Sequence, residues 1–247
     1  MSDPLPIFVG FDPREATAWD VCADSLRRHS SLPLHIVKLE QAALRKAGWY
    51  RRDWRVEGAD RIDMGDNKPF STEFAFTRFM VPALSLYQGW ALFCDCDFLF
   101  TQDISRLFAL ADDRYAVLCV KHQHDQPKET TKMGGLTQTA YRRKNWSSLV
   151  LWNCAHPENE LLSGYVVNQF NGQWLHAFSW LDDALIGSIP QDWNWLAGVS
   201  QPLAGIPAGI HYTLGVPDMP GCENTPYAAL WRTAKAQLSG AAMEQAA

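Results

Sequence analysis

A chain of 247 residues, 47% hydrophobic and 20% charged, is long enough for one large domain or two small ones around a substantial core. Its 22 basic and 27 acidic side chains leave a net charge of −5, which excludes a general electrostatic attraction to nucleic acid or to an anionic membrane surface. No apolar run approaches the about 18 residues that span a bilayer, and the N-terminus lacks the basic-then-apolar pattern of a signal peptide. The six cysteines are scattered, with no Cys-x-x-Cys pair. These features predict a cytoplasmic protein with buried free thiols and at most peripheral contact with the inner face of a membrane.

In chain order, Leu5-Pro6-Ile7-Phe8-Val9-Gly10-Phe11 reads as a buried strand that ends in a loop, Asp12-Pro13-Arg14-Glu15. Ala18, Val21, Cys22, Ser25 and Leu26 then recur at helical spacing, which predicts a helix over 15–29. A second strand follows at 34–39, and strand–helix–strand in this order predicts a parallel α/β sheet. Residues 41–70 lack periodicity and carry Trp49-Tyr50-Arg51-Arg52-Asp53-Trp54-Arg55; they read as a long surface excursion. That cluster is either a solvated charge run or a contact for an anionic or lipid-linked ligand. Ser71 or Thr72 caps a predicted helix over 73–87, kinked at Pro82.

Further along, the pattern predicts a buried strand over 90–100, a short helix at 104–110, a strand at 115–120 and a polar loop over 122–145 with Gly134-Gly135. Strand 147–152, helix 158–170, helix 181–189, strand 206–212 and a terminal helix at 228–238 complete the expected domain of residues 1–238. Residues 239–247 are small and polar and read as a frayed tail. Eleven tryptophans are many for this length; Trp174, Trp180, Trp193 and Trp195 either line a ligand cleft or fill the core.

The chemically informative stretch is Trp90-Ala91-Leu92-Phe93-Cys94-Asp95-Cys96-Asp97-Phe98-Leu99-Phe100. Two carboxylates one residue apart in an apolar run are costly unless paired or bound to metal. At strand spacing Asp95 and Asp97 point the same way. Hard cations such as Mn²⁺ or Mg²⁺ take such oxygens and share them with a phosphate. Two acids in a solvated turn would fit the same letters. His211, in Gly209-Ile210-His211-Tyr212-Thr213-Leu214-Gly215-Val216-Pro217, is either a nitrogen ligand for the same ion or a satisfied turn histidine. Asp182 and Asp183 open a predicted helix, where the dipole alone favours acids.

Taken in order, the first strand, Phe74 to Leu84, Asp95-x-Asp97, Asn153 after a strand, Asp182-Asp183, Trp193-Asn194 and His211-Tyr212-Thr213-x-Gly215 resemble glycosyltransferase family 8 and its bacterial relatives. The resemblance implies a GT-A fold, a single Rossmann-like domain with a mixed, mainly parallel sheet. It implies Asp95, Asp97 and His211 as ligands of Mn²⁺ or Mg²⁺, bridging the diphosphate of a UDP-sugar. It places Gly10, Phe11 and Asp12 at the base and ribose, and Arg78, Asn153, Asp183 and Gly215 along the rest of the donor. The reaction implied is hexosyl transfer with retention to a glycan, lipopolysaccharide or lipid-linked acceptor. Asp182 is then a nucleophile or a group that orients sugar hydroxyls, with Asp183 sharing the second role.

Two departures stand out. Family members commonly read Asp-Gln-Asp where this chain has Leu181-Asp182-Asp183, and the lysine that usually follows the His-x-x-Gly segment is absent from Val216-Pro217-Asp218. Its role would fall to Lys121, Lys128, Lys132, Arg142 or Arg143. A haloacid dehalogenase-type phosphatase also uses strand-Asp-x-Asp, but it wants Thr or Val where Leu99 stands. A sugar nucleotidyltransferase would want a Gly-rich basic loop in place of Asp12–Glu15. A non-catalytic nucleotide-sugar binder stays open as a third class.

Overall fold

The computed structural model describes residues 3–123, 130–132, 136–138 and 143–245. The first strand, Leu5–Phe11, is apolar on both faces and lies one strand in from the edge of a six-stranded sheet. It pairs in parallel with Leu34–Glu40 and with Trp90–Cys94. Helix Ala16–Arg28 makes the crossover and turns Val21, Cys22 and Leu26 inward. Leu149–Asn153 runs antiparallel to both its neighbours, Trp90–Cys94 and Val117–Cys119. Ile186–Ser188 closes the edge in parallel with Val117–Cys119. Five strands therefore point one way and one against them, the mixed and mainly parallel sheet that was expected.

Parallel strands release their C-terminal ends along one edge, where open α/β sheets bind ligands. Val9 lies opposite Cys94, so Gly10–Asp12 and Asp95–Asp97 leave the sheet side by side. The expected single strand over 90–100 is in fact two. The chain turns through Asp95-Cys96-Asp97 and enters a second, three-stranded sheet at Phe98–Phe100, which pairs with Gly209–His211; Trp195–Leu196 completes it. The acidic pair thus sits at the junction of two sheets, with Asp95 N–H bonded to the Ser148 carbonyl (2.9 Å) and Tyr212 N–H to the Asp97 carbonyl (2.9 Å).

Residues 41–70 are an ordered wall, not a loose excursion. Helix Gln41–Lys46 leads to a meander of Trp54–Glu57, Asp60–Asp63 and Pro69–Phe70. Arg52 fastens it: buried, the guanidinium meets both Asp63 oxygens (2.9 and 2.6 Å), donates to the carbonyls of Val167 and Phe170, and lies over the Phe76 ring. Within the basic-aromatic cluster Arg52 is therefore a staple, while Trp49, Arg51, Asp53 and Arg55 are exposed.

The expected helix over 73–87 is broken into turns, a 3-10 segment Thr77–Met80 and a single helical turn Val81–Leu84. Residues 74–83 are all buried, so no face is left for solvent and an amphipathic helix has no advantage. Pro82 kinks nothing; it sits in the first turn, where its missing N–H is no loss. The expected helix over 181–189 is a 3-10 turn, Asp183–Leu185, followed by the edge strand. The segment 158–170 divides into a 3-10 turn Pro157–Leu161 and helix Gly164–Gln169, capped by Ser163. In the polar stretch 122–145, Thr130–Lys132 and Leu136–Gln138 pair as a hairpin; Gly134-Gly135 lie outside the described residues. The terminal helix, Ala228–Gln245, runs past the expected end at Leu238 and includes most of the supposed tail. Its Trp231, fully buried, packs in a second core with Val21, Leu99 and Tyr212, beneath the junction of the sheets.

Candidate active site

Asp95, Asp97 and His211 come from three places: the end of one sheet, the start of the next and that strand's antiparallel partner. Their ligand-capable atoms lie within 4.8 Å of one another, and all three residues are buried. His211 stacks on Phe98 (ring centroids 4.4 Å apart) and turns Nε2 toward Asp97 Oδ1 at 3.3 Å. Its Nδ1 lies 2.9 Å from Oδ1 of the fully buried Asn194. Two carboxylates and one imidazole form an oxygen-rich set with a single nitrogen, which suits Mn²⁺ and accommodates Mg²⁺. The residues present therefore fit a divalent cation.

Arg78 stands behind Asp95, Nη1 to Oδ1 at 2.7 Å. It also donates to the carbonyls of Ser147 (2.9 Å) and Phe74 (3.2 Å), and lies between the rings of Phe74 and Phe93. Such a buried, multiply bonded guanidinium is a fixture, and it holds Asp95 in one orientation. In front of the pair opens a cavity of ≈ 260 Å³. One wall is the meander with Lys68, Phe70, Ser71 and Thr72; the other includes Ser147, Ser148, Gln173 and His176, and Asp95 and Thr213 lie at its metal end. Ser147 Oγ and His176 Nδ1 are hydrogen-bonded at 2.7 Å.

The other expected site residues divide. Gly10 leaves the sheet beside Asp95, and its lack of a side chain admits Phe74: an added Cβ would meet that ring at 2.5 Å. Phe11 is buried against Trp19, with the Lys38 ammonium 3.9 Å from its centroid. Asp12 is on the same edge but fully engaged. It caps the Pro13–Glu15 turn, accepts from Arg14, Arg61 (2.7 Å) and Glu73 N–H (3.0 Å), and ties the meander to the first strand. Burial alone would raise its pKa, but the bonds from Arg14 and Arg61 outweigh this and hold it well below the usual carboxylate range.

Asn153 is a correction. It pairs with Trp90, at the opposite end of the strands from Asp95 and about 13 Å along them at roughly 3.3 Å per residue. Its amide donates to the Tyr115 carbonyl. The antiparallel run of Leu149–Asn153 is what reverses the ends, so Ser147 and Ser148 reach the site instead. Gly215 adopts φ +134 and an added Cβ would strike Cys222, which makes it a backbone requirement of the loop after His211. Asp182 and Asp183 are exposed and do not line the cavity. Asp182 caps its own turn through Ala184 N–H (2.9 Å), and Asp183 is paired with Arg143. Lys121 is bonded to the Ile186 carbonyl (2.6 Å); Lys128, Arg142 and the Lys132 side chain lie outside the described residues. The cation in the cavity wall that sequence reasoning missed is Lys68. Trp180, Trp193 and Trp195 are core residues, and the aromatic lining of the cavity is Phe70 and Phe76.

No family model matches the chain. Over 232 residues, 92% of this chain and 85% of that protein, it is 48% identical to Protein CDI of Arabidopsis thaliana. The chain belongs to the Protein CDI family. Among solved structures it is similar to the WbbM bifunctional glycosyltransferase (TM-score 0.58, 13% identity, covering 95% of this chain and 52% of that one). It is also similar to the glycosyltransferase GlyE of Streptococcus pneumoniae TIGR4 (TM-score 0.57, 15% identity, 95% and 60%) and to the galactosyltransferase LgtC solved with donor and acceptor sugar analogues (TM-score 0.56, 12% identity, 94% and 96%). The chain thus spans just over half the length of the WbbM and GlyE chains. At these identities the likeness shows the fold, and this Protein CDI relative has the GT-A fold. No helix among its described residues is long and apolar enough to cross a membrane.

Proposed function

We propose that this member of the Protein CDI family is a metal-dependent glycosyltransferase, similar to family 8, that moves a hexose from a UDP-sugar to a hydroxyl of a glycan, lipopolysaccharide or lipid-linked acceptor with retention. The observation that carries the reading is the convergence of Asp95, Asp97 and His211 beside a cavity that Asp95 lines, on the ligand-binding edge of a GT-A sheet. A cation held there would bind the donor diphosphate and offset the charge that develops on it as the sugar leaves. Arg78 pins Asp95 so that its carboxylate needs no reorganisation. The cavity offers a sugar ring an apolar surface at Phe70 and Phe76 and hydroxyls at Ser71, Thr72 and Ser147. Lys68 supplies the cationic group for the diphosphate that the sequence lacks after Gly215. Asp182 and Asp183, outside the cavity wall, suit orientation of the sugar or acceptor better than attack on the anomeric carbon.

The direct experiment is calorimetric titration of UDP, GDP, ADP and CDP with and without Mn²⁺. Tight UDP binding that requires Mn²⁺ is expected. Metal-dependent binding of another nucleotide would change the donor, and binding of none would overturn the site. A second reading, a nucleotide-sugar binder without turnover, is favoured by Leu181 and by the exposure of Asp182 and Asp183. UDP release from a panel of UDP-sugars decides between the two. If the protein is an enzyme, Asp182→Asn lowers kcat at least tenfold while UDP affinity is unchanged. A near wild-type rate removes Asp182 from the chemistry. The GT-A fold argues against the phosphatase alternative.

A further inference from the structure

Asn194 is fully buried and every polar atom of its side chain is engaged near the metal group. Nδ2 donates to Ser148 Oγ (2.9 Å) and to the Asn145 carbonyl (3.3 Å). Ser148 Oγ in turn donates to that same Asn145 carbonyl (2.7 Å), so the hydroxyl presents its lone pairs to the Asn194 amide. With Nδ2 committed to two acceptors, the amide has one orientation, and Oδ1 is the atom that faces His211 Nδ1 at 2.9 Å. An amide oxygen only accepts, so Nδ1 carries the hydrogen. In the Nδ1–H ring Nε2 then carries a lone pair, and it faces Asp97 Oδ1 at 3.3 Å, so these two acceptors need a cation or a proton between them. The opposite tautomer would set an unprotonated Nδ1 against the amide oxygen, two acceptors face to face in a dry site.

We propose that Asn194 is the positioning residue of the metal site: its locked amide holds His211 in the Nδ1–H tautomer and so keeps Nε2 available as a ligand. The same lock binds the site to the cavity wall, because Asn145, in a left-handed conformation (φ 66), and Ser148 both line the cavity. The role rests on the metal reading given above, but its first consequence is visible in the metal-free protein. A group in the shell behind a ligating histidine is worth about 10- to 100-fold in metal affinity in comparable sites.

The test uses the whole chain. Nitrogen NMR shifts of His211 in metal-free protein report the tautomer, and calorimetry with MnCl₂ reports affinity. Wild type is expected as Nδ1–H. Asn194→Leu should lose that preference and bind Mn²⁺ 10- to 100-fold more weakly, while Asn194→Asp, which keeps an acceptor at the same place, should restore both. Ser148→Ala, which removes a partner of the lock and leaves Asn194 in place, should shift the tautomer in the same direction as Asn194→Leu and serves if that variant does not fold. An Nε2–H tautomer in wild type, or Asn194→Leu and Ser148→Ala with unchanged tautomer and affinity, would overturn the role. The expected tautomer in a wild type without Mn²⁺ affinity would overturn the metal reading, and the role of Asn194 with it.

Discussion

Asp12 and Asp97 are both buried acids on the same edge of the sheet, and their surroundings give them opposite tasks. Asp12 is surrounded by donors from Arg14, Arg61 and Glu73, so its charge is compensated within the fold. Asp12→Asn removes the carboxylate shared by Arg14 and Arg61, although Arg61 keeps Glu73 at 3.2 Å, and is expected to cost about 3 kcal/mol in urea unfolding. Because its folded pKa is depressed, Asp12 stabilises fully above its unfolded value near 3.9 and loses that contribution as the pH falls below it. The wild-type decline in urea midpoint from pH 5 to pH 3 should be shallower in Asp12→Asn. Asp97 instead faces Nε2 of His211 and belongs to the candidate metal group. Asp97→Asn should abolish Mn²⁺-dependent UDP binding and leave the melting temperature close to wild type. Unchanged binding would remove Asp97 from the site. Asp95 and Asp97 were legible because carboxylates in an apolar run are rare and expensive, and His211 only through the resemblance to glycosyltransferase family 8. Asn194 was not: its meaning lies in what it touches, Ser148 from a 3-10 turn and His211 from a strand.

Elements failed to follow the sequence pattern where burial overrode local preference. Phe74 to Ala83 lie inside the protein on every side, and breaking the chain into turns lets Phe74 reach Gly10 and Arg78 reach Asp95. The meander has little apolar periodicity because its anchor is ionic. Asp63→Asn strands a buried Arg52 and is expected to destabilise by about 3–5 kcal/mol. Lys68 and Phe70 ride on that element, so UDP-sugar affinity should fall as well, measured by calorimetry below the melting temperature. Gly209 matters for a different reason: a Cβ there would drive into the Trp193 carbonyl, pushing the strand that carries His211 from the segment that carries Asn194. Gly209→Ala is expected to weaken Mn²⁺ binding at least tenfold; an unchanged affinity would mean that the site tolerates movement of this strand.

At the level of the molecule, two cores meet under the site: the main core of the six-stranded sheet, and a smaller one where helix Ala228–Gln245 packs on helix Ala16–Arg28 and covers Trp231. Neither core depends on a disulfide. All six cysteines are free and five are buried, with burial pushing the thiol of Cys119 up to about 12 and that of Cys154 up to about 11. Only the thiolate reacts with Ellman's reagent at neutral pH. The native protein should therefore show one titratable thiol, Cys222, and six after denaturation. Two or more fast-reacting thiols in the native state would contradict this packing.

The composition and the strand–helix–strand opening were enough to point to an α/β domain, and the acids set in an apolar run to a candidate metal pair at Asp95 and Asp97; these follow from local rules of period, residue type and the cost of burying charge. The GT-A type and the candidate role of His211 came from the resemblance to glycosyltransferase family 8. Long-range pairing decided the rest. The reversed direction of Leu149–Asn153 took Asn153 away from the site and brought Ser147 and Ser148 to it. The docking of the meander placed Lys68, Phe70 and Ser71 in the cavity wall, and the small second sheet set His211 beside Asp97. Strand direction and register join residues far apart in the chain, and no local spacing encodes them.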